Sequence, residues 1–128
     1  MDDAHIFREK VRQALLAEGV DAVTWQTSTV PGQPVFKIMK GYRKGCPWTC
    51  RHVRNSYEYR DEDYPETVKL LKDSMIIGSE TYPLYVSNIK VMKGYVDAFN
   101  KVFSNLEEVK SIDLKKIKGA FSDATGIS

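Results

Sequence analysis

The stretch from residue 41 to residue 63 constrains the fold more than any other part of the chain. It runs irregularly and is full of Gly, Arg, Tyr and Asp. A chain of 128 residues argues for one domain with a buried core. Loops this long are uncommon inside compact domains and are often functional. We therefore expect residues 41–63 to form a long loop insertion, and a functional site is expected there first.

Both cysteines lie in this stretch, within the sequence GCPWTC. Cys46, Cys50 and His52 supply three metal ligands, but the only other histidine, His5, is distant and no second cysteine pair exists. The C-x-x-x-C spacing, with a proline inside it, also departs from the C-x-x-C redox motif. A disulfide would close only a tiny loop. We therefore expect reduced thiols in a packed loop, with metal binding by Cys46, Cys50 and His52 as the weaker alternative.

Composition and charge exclude several classes of function. The hydrophobic share of 42% and the charged share of 28% are ordinary for a soluble globular protein. A net charge of +2 gives no reason to expect nucleic acid or an acidic membrane as a partner. The first residues, MDDAHIFREK, lack the apolar core of a signal peptide. A cytoplasmic location is the resulting expectation.

The first half of the chain predicts a helix and a strand. Asp3 is a suitable N-cap, and Gly19 a suitable C-terminal stop. A short strand is expected from Val20 to Trp25. The turn-rich TSTVPGQP follows, and residues 35–39 are too short a run to assign. Helical spacing relates the apolar residues of the first helix, which are Phe7, Val11, Ala14 and Leu15.

The second half predicts a helix, a strand and a further helix. Pro65 suits the first turn of a helix, and MIIGS, from Met75, has the composition of a buried strand. Ser87 or Asn88 is expected to cap a helix that ends near Ser104. Its predicted apolar stripe consists of Met92, Tyr95, Val96, Phe99 and Val102.

The region from 105 to 128 is a lysine-rich tail in which Leu114, Ile117 and Phe121 could face one side of a short, weakly amphipathic helix. We favour a terminal helix docked on the domain over a helix on a membrane surface. The element order is helix, strand, long loop, helix, strand, helix. It predicts an α+β domain over residues 1–104, with a small, mostly antiparallel sheet and helices on one face.

The ordered segments resemble a known family. FREKVRQALLAEGVDA, VPGQPVF, YRDEDYPETVKLLKDSMIIGS and NIKVMKGYVDAFNKVF resemble, in that order, the C-terminal small domain of the DegT/DnrJ/StrS-type sugar aminotransferases. These are pyridoxal-phosphate enzymes of the aspartate-aminotransferase fold. The resemblance covers about residues 3–104, and GCPWTC resembles an insertion in the branch that acts on sugars or cyclitols.

The resemblance also implies what this chain does not carry. In that family the large N-terminal domain supplies the Schiff-base lysine and the cofactor contacts. Lys40, Lys44 and Lys69 do not sit in the family's lysine context, and no Gly-rich phosphate loop is present. We therefore expect a truncated, excised or independent small domain that is inactive alone. Pyridoxal phosphate and a keto-sugar substrate belong only to a complete enzyme.

Within such an enzyme, the loop would lie near the active-site cleft. Trp48 could cover an apolar sugar face, and Arg51, His52 and Arg54 could donate to substrate oxygens. Gln33 in the PGQP turn is the remaining substrate-binding candidate. The alternatives are that Trp48 anchors the loop by packing, that the arginines are solvated, and that His52 makes a hydrogen bond within the loop.

Two main functions remain open at this point, beside a minor metal or thiol protein built on Cys46, Cys50 and His52. One is the inert small domain of an aminotransferase, and the other is an assembly module that forms a homodimer or docks on a separate large-domain chain. An exposed apolar face would mark the second. An independent enzyme is disfavoured, because the consecutive Asp61, Glu62 and Asp63 cannot share one face and no G-x-S-x-G motif occurs.

Overall fold

The computed structural model describes residues 3–24, 28–41 and 45–117, and of Asp3 only the backbone. It is helix-rich with one small antiparallel sheet, which agrees with the expected α+β class. The chain divides into two compact units. The first combines residues 1–27 with residues 72–128, and the second comprises residues 28–71.

Seven helices and strands make up the regular structure of the described residues. They are α1 (Asp3–Ala17), β1 (Ala22–Val23), α2 (Pro34–Ile38), α3 (Pro65–Asp73), β2 (Ile76–Ile77), α4 (Ile89–Ser104) and α5 (Leu106–Ser111). Single turns of 3-10 helix span Asp61–Asp63, Leu84–Val86 and Leu114–Lys116. The predicted helices at Pro65 and after Asn88 are confirmed, as are the strands after Val20 and at Met75. Both strands are shorter than expected, and Trp25 lies outside the described residues.

The first helix ends as its sequence predicts. Gly19 has a φ of +85°, a left-handed conformation that glycine adopts without steric cost. The Gly19 amide donates to the Leu16 carbonyl at 3.0 Å, and the Val20 amide donates to the Leu15 carbonyl at 2.9 Å. The helix therefore closes within two residues and turns the chain directly into β1.

The sheet pairs two distant segments of the chain. Ala22 lies opposite Ile77 and Val23 opposite Ile76, in antiparallel register. Asp21 extends this pairing, because its carbonyl accepts from the Gly78 amide at 2.8 Å and its carboxylate accepts from the Ser79 amide at 2.6 Å. The Tyr95 hydroxyl in turn accepts from the Asp21 amide at 3.1 Å. Asp21 thus ties the end of β2 and helix α4 to the start of β1.

The core of the first unit lies where α1, α4, α5 and β1 meet. Leu15 and Ala22 are completely buried, and α5 contributes Val109. Leu114, placed in the tail by the sequence analysis, is also buried. Residues 106–114 therefore pack into the first unit, while Phe121 lies outside the described residues. The buried apolar cluster consists of Val11, Leu15, Val20, Ala22, Ala98, Val102 and Val109.

Helix α1 also buries charge. Arg12 donates two hydrogen bonds to the Glu9 carboxylate, from Nε to Oε2 at 2.9 Å and from Nη2 to Oε1 at 2.7 Å. Gln13 donates a further hydrogen bond to Glu9 Oε1 at 2.9 Å. Glu9 is 1% exposed and Arg12 3% exposed. Loss of hydration lowers the pKa of the neighbouring Arg8 from its ordinary value, while Glu9 opposes that shift. Such paired, hydrogen-bonded burial is the arrangement that makes interior charge tolerable.

The predicted apolar stripe of α4 is only partly correct. Ala98 and Val102 are buried, and Tyr95 packs against the same cluster. Val96 instead is 58% exposed, because it lies about 100° around the helix from Tyr95. Asn88 caps the helix as expected, its side chain accepting from the Val91 amide at 3.0 Å.

None of the helices in the described ranges combines the length and apolar character needed to cross a membrane.

Candidate functional site

The second unit is organised by three aromatic rings. Phe36, on α2, meets Trp48 edge to face with ring centroids 6.0 Å apart, and it meets Tyr59 at 5.2 Å. Offset and edge-to-face contacts of this kind add to the energy of burial alone. Trp48 therefore anchors the loop by packing, which is one of the two roles predicted for it. The residue is half-buried.

Polar contacts close the same unit. The Thr29 hydroxyl donates to the Asp61 carboxylate, and it accepts from the Gly32 amide at 2.9 Å. Lys37 donates to the Tyr59 carbonyl at 2.6 Å. Asp61 is thus half-buried and bonded, whereas the adjacent Glu62 and Asp63 are exposed. These bonds hold a loop of which residues 46–60 contain turns and bends but no helix or strand.

The two cysteines form a disulfide, so the expectation of reduced thiols is wrong for this structure. Their Cα atoms lie 4.8 Å apart, within the range that a disulfide spans. A tight turn brings them together: the Thr49 amide donates to the Gly45 carbonyl at 2.7 Å. The Cys46–Pro47 peptide bond is cis.

A cysteine ligand of zinc must be a thiolate, so metal binding by Cys46, Cys50 and His52 would require that the disulfide first be reduced. Cys46 and Cys50 use their sulfur atoms on each other, and His52 alone cannot hold a metal. Among the described residues no group of three or more His, Cys, Asp or Glu side chains is placed to bind a metal ion.

The predicted substrate-binding residues fall into two groups. Arg51, His52 and Arg54 follow the disulfide and are exposed to solvent, and the Arg51 Nε donates to the His52 Nε2 at 3.2 Å. Gln33 precedes α2, and its carbonyl accepts from the amides of Phe36 and Lys37 at 3.0 and 3.2 Å. In the described part of the chain no hydrogen bond links Gln33 to either arginine. The geometry therefore places exposed arginines in the residues that follow the disulfide.

A second candidate surface was missed by the sequence analysis. Along α4, Ile89, Val96 and Phe103 are 76%, 58% and 50% exposed. They recur every seven residues, which places them on one line of the helix. The signal was present in the sequence, but the sequence analysis placed Val96 in the core-facing stripe and did not consider Ile89 and Phe103.

Comparison of the chain with protein-family models, with curated proteins and with solved structures gives no match.

Proposed function

We propose that this chain is an assembly module, and that two copies pair in antiparallel orientation through helix α4. The observation that carries this proposal is the line of exposed apolar residues Ile89, Val96 and Phe103. Exposed apolar residues scattered singly need no explanation, whereas an aligned set marks an interaction surface.

Helix α4 has two apolar faces. The inner face presents Ala98 and Val102 to the core, and the outer line centred on Val96 lies roughly 120–160° away at about 100° per residue. One apolar face suffices to hold a surface helix on its own domain. A second apolar face contributes to stability only if another helix or chain covers it, so we expect an additional binding partner.

The spacing of the outer line favours another helix as that partner. Met92 and Phe99, both half-buried, lie between the exposed residues and complete an alternation of three and four residues. Phe99 also packs against the core cluster, so it lies between the inner and outer faces. This 3.5-residue average is the seam by which two helices pack in a coiled coil. Phe99 stacks on Phe103 with ring centroids 5.9 Å apart and an interplanar angle of 5°, which provides a flat aromatic surface near the end of the seam.

The symmetry of the line favours a second copy of the same chain. Ile89 and Phe103 are equally distant from Val96, so a two-fold axis at Val96 would set Ile89 of each copy against Phe103 of the other. Such a self-complementary patch is what an isologous dimer requires. In this orientation Lys93 would face Asn100 of the other copy, so the flanking positions would oppose no like charges.

The size of the seam sets the expected affinity. A helix of 16 residues is about 24 Å long, so a two-helix interface lies at the small end of specific interfaces. Exposed aromatic residues just before the helix, Tyr82 at 64% and Tyr85 at 89%, could extend it. We therefore expect reversible association with a Kd on the order of micromolar.

Sedimentation equilibrium over a range of concentrations tests the pairing, with Val96→Lys as the disrupting variant. The substitution places two ammonium groups at the two-fold axis, so the dimer should dissociate while the helix content stays unchanged. Gly94→Lys is the matched control, because a side chain there meets nothing within 4 Å and projects from nearly the opposite side of α4. A monomeric wild-type chain, or equal effects of both variants, would contradict the proposal.

Cysteine cross-linking tests the orientation. Val96→Cys should form a covalent dimer with itself, since the two residues meet at the axis. Ile89→Cys should not, but it should cross-link to Phe103→Cys in a mixture of the two variants. The opposite result, with Ile89→Cys self-linking readily, would mean a parallel pair and refute the antiparallel arrangement.

A second candidate function is the small domain of a sugar aminotransferase that is inactive by itself. The observation that favours it is the element order, with β1 antiparallel to β2, which agrees with the order in the family that the sequence resembles. Incubation with pyridoxal phosphate followed by borohydride reduction tests it. No lysine of the 128-residue chain should acquire a stoichiometric adduct, and one that did would contradict this candidate.

A further inference from the structure

The turn closed by Cys46 and Cys50 belongs to the unit that does not carry helix α4. Its two cysteines are only four residues apart. Gly45 has a φ of +78°, and a Cβ atom at this residue would lie 2.2 Å from the Thr49 Oγ1. The turn is therefore small and closely folded upon itself.

The two cysteines differ in accessibility. Cys50 is 9% exposed and counts as buried, whereas Cys46 is half-buried. Pro47 and Thr49, inside the turn, are exposed. The greater exposure of the Cys46 residue therefore favours attack by a thiol there, with Cys50 as the leaving group.

The sequence on both sides of the turn lacks acidic residues, and the acidic residues of the same unit begin at Glu58. From residue 22 to residue 57 the sequence contains no Asp or Glu. Arg51 and Arg54, which follow Cys50, are exposed. Cations near a cysteine favour its thiolate form, and exposed cations raise the local concentration of anionic ligands. Both effects favour exchange with a thiol that carries negative charge.

The small size of the ring that the disulfide closes also favours exchange. A disulfide stabilises a fold by restricting the unfolded chain, and this effect grows with the number of residues in the closed loop. A separation of four residues gives the least protection of this kind. Exposed disulfides are the labile and regulatory ones, and in this disulfide Cys46 is the partly exposed cysteine.

From accessibility, charge and ring size together, we propose that Cys46–Cys50 is a thiol–disulfide exchange site for anionic low-molecular-weight thiols. The incoming thiolate attacks Sγ of Cys46 and forms a mixed disulfide there. The Cys46–Cys50 bond breaks, and its electron pair leaves on Sγ of Cys50 as a thiolate, which then takes a proton from water. A second thiolate attacks the external sulfur of the mixed disulfide, which releases Cys46 as a thiolate and oxidises two external thiols to their disulfide.

The first test compares three thiols of different charge with the oxidised chain at equal thiolate concentration. They are 3-mercaptopropionate, 2-mercaptoethanol and cysteamine. Quenching with N-ethylmaleimide and peptide mass spectrometry locate each adduct. We expect the external thiol on Cys46 and the maleimide on Cys50, with the anionic thiol faster than the neutral one by about threefold or more at low salt. Adducts mainly on Cys50, equal rates for the three thiols, or no adduct would overturn the proposal.

The second test removes the charge. Arg51→Gln combined with Arg54→Gln should abolish the preference for the anionic thiol, and it should slow exchange with 2-mercaptoethanol much less than exchange with 3-mercaptopropionate. Arg60→Gln is the matched control, since Arg60 is an exposed arginine of the same unit that is paired with Glu58 and Asp63 at 3.7 and 4.0 Å. A preference that survives the double substitution, or that Arg60→Gln removes equally, would refute the role of the two arginines.

Discussion

Replacing Glu9 by leucine probes the buried charge on α1, because it leaves the Arg12 guanidinium in the interior without its carboxylate. Glu9 accepts three hydrogen bonds, two from Arg12 and one from Gln13. Glu9 and Arg12 are both almost fully buried, so water cannot take over these bonds without opening the structure.

The expected cost follows from that burial. Removing one partner of a buried ion pair destabilises a protein by about 3–5 kcal/mol. This is a large part of the roughly 5–15 kcal/mol by which a domain is stable. For a chain of this size it corresponds to a fall in Tm of about 10–20 °C. The double variant Glu9→Leu with Arg12→Met removes both charges at once and should recover at least half of the loss.

Thermal and urea denaturation followed by circular dichroism at 222 nm measure the effect. Glu9→Gln provides an intermediate case, since it keeps the shape and some hydrogen bonds but removes the charge. A loss below about 1 kcal/mol for Glu9→Leu, the value typical of an exposed pair, would refute the reasoning. So would a double variant less stable than Glu9→Leu alone.

Three further predictions concern packing and helix ends, and each is read from the free energy of unfolding. Leu15→Ala should cost about 3–5 kcal/mol because Leu15 is completely buried. Leu16, the next residue, is 37% exposed, so Leu16→Ala should cost less than half as much. Equal costs for the two variants would place the core elsewhere. Gly94→Ala should stabilise the chain by about 0.5–1 kcal/mol, since Gly94 lies inside α4 and a Cβ there meets nothing within 4 Å; a destabilised variant would mean that this position is covered. Asn88→Ala should cost about 1 kcal/mol, because it removes the side chain that caps the Val91 amide. Asn88→Asp should retain most of the stability. Equal losses for the two variants would show that the cap contributes nothing.

The main helices could be predicted from the sequence because their signals are local. Pro65 opens α3, Asn88 caps α4 and Gly19 follows the end of α1. Each signal acts through the backbone within one turn, so it works whatever the helix packs against. The two strands were expected for a related reason, since short β-branched runs between turn residues indicate strands.

The sequence could not divide the apolar residues of α4 between an inner and an outer face. Val96 and Tyr95 are neighbours in one periodic pattern, yet Tyr95 packs on the core and Val96 is exposed. Hydrophobic spacing indicates that a face is apolar and does not indicate what covers it. The proposed pairing surface therefore became visible only when the position of the core was known.

The disulfide and the buried ion pair were missed for different reasons. Cysteine spacing and compartment argued for free thiols, whereas the turn at Gly45 brings the Cα atoms of Cys46 and Cys50 to 4.8 Å. Glu9 and Arg12 look like a solvated pair three residues apart on a helix surface. Only the packing around α1 makes that side of the helix interior.

By itself the sequence determined the order of the elements, the ends of the main helices, the α+β class and the one-sided charge of residues 22–57, because each depends on neighbouring residues or on composition. Only the tertiary structure decided which apolar and charged side chains are buried, that residues 106–114 join the core, and that Cys46 and Cys50 are bonded. Burial depends on contacts between segments far apart in the chain, and the free energy of such contacts is set by packing geometry that local sequence patterns do not encode. The disulfide depends on the conformation of the turn that joins its two cysteines.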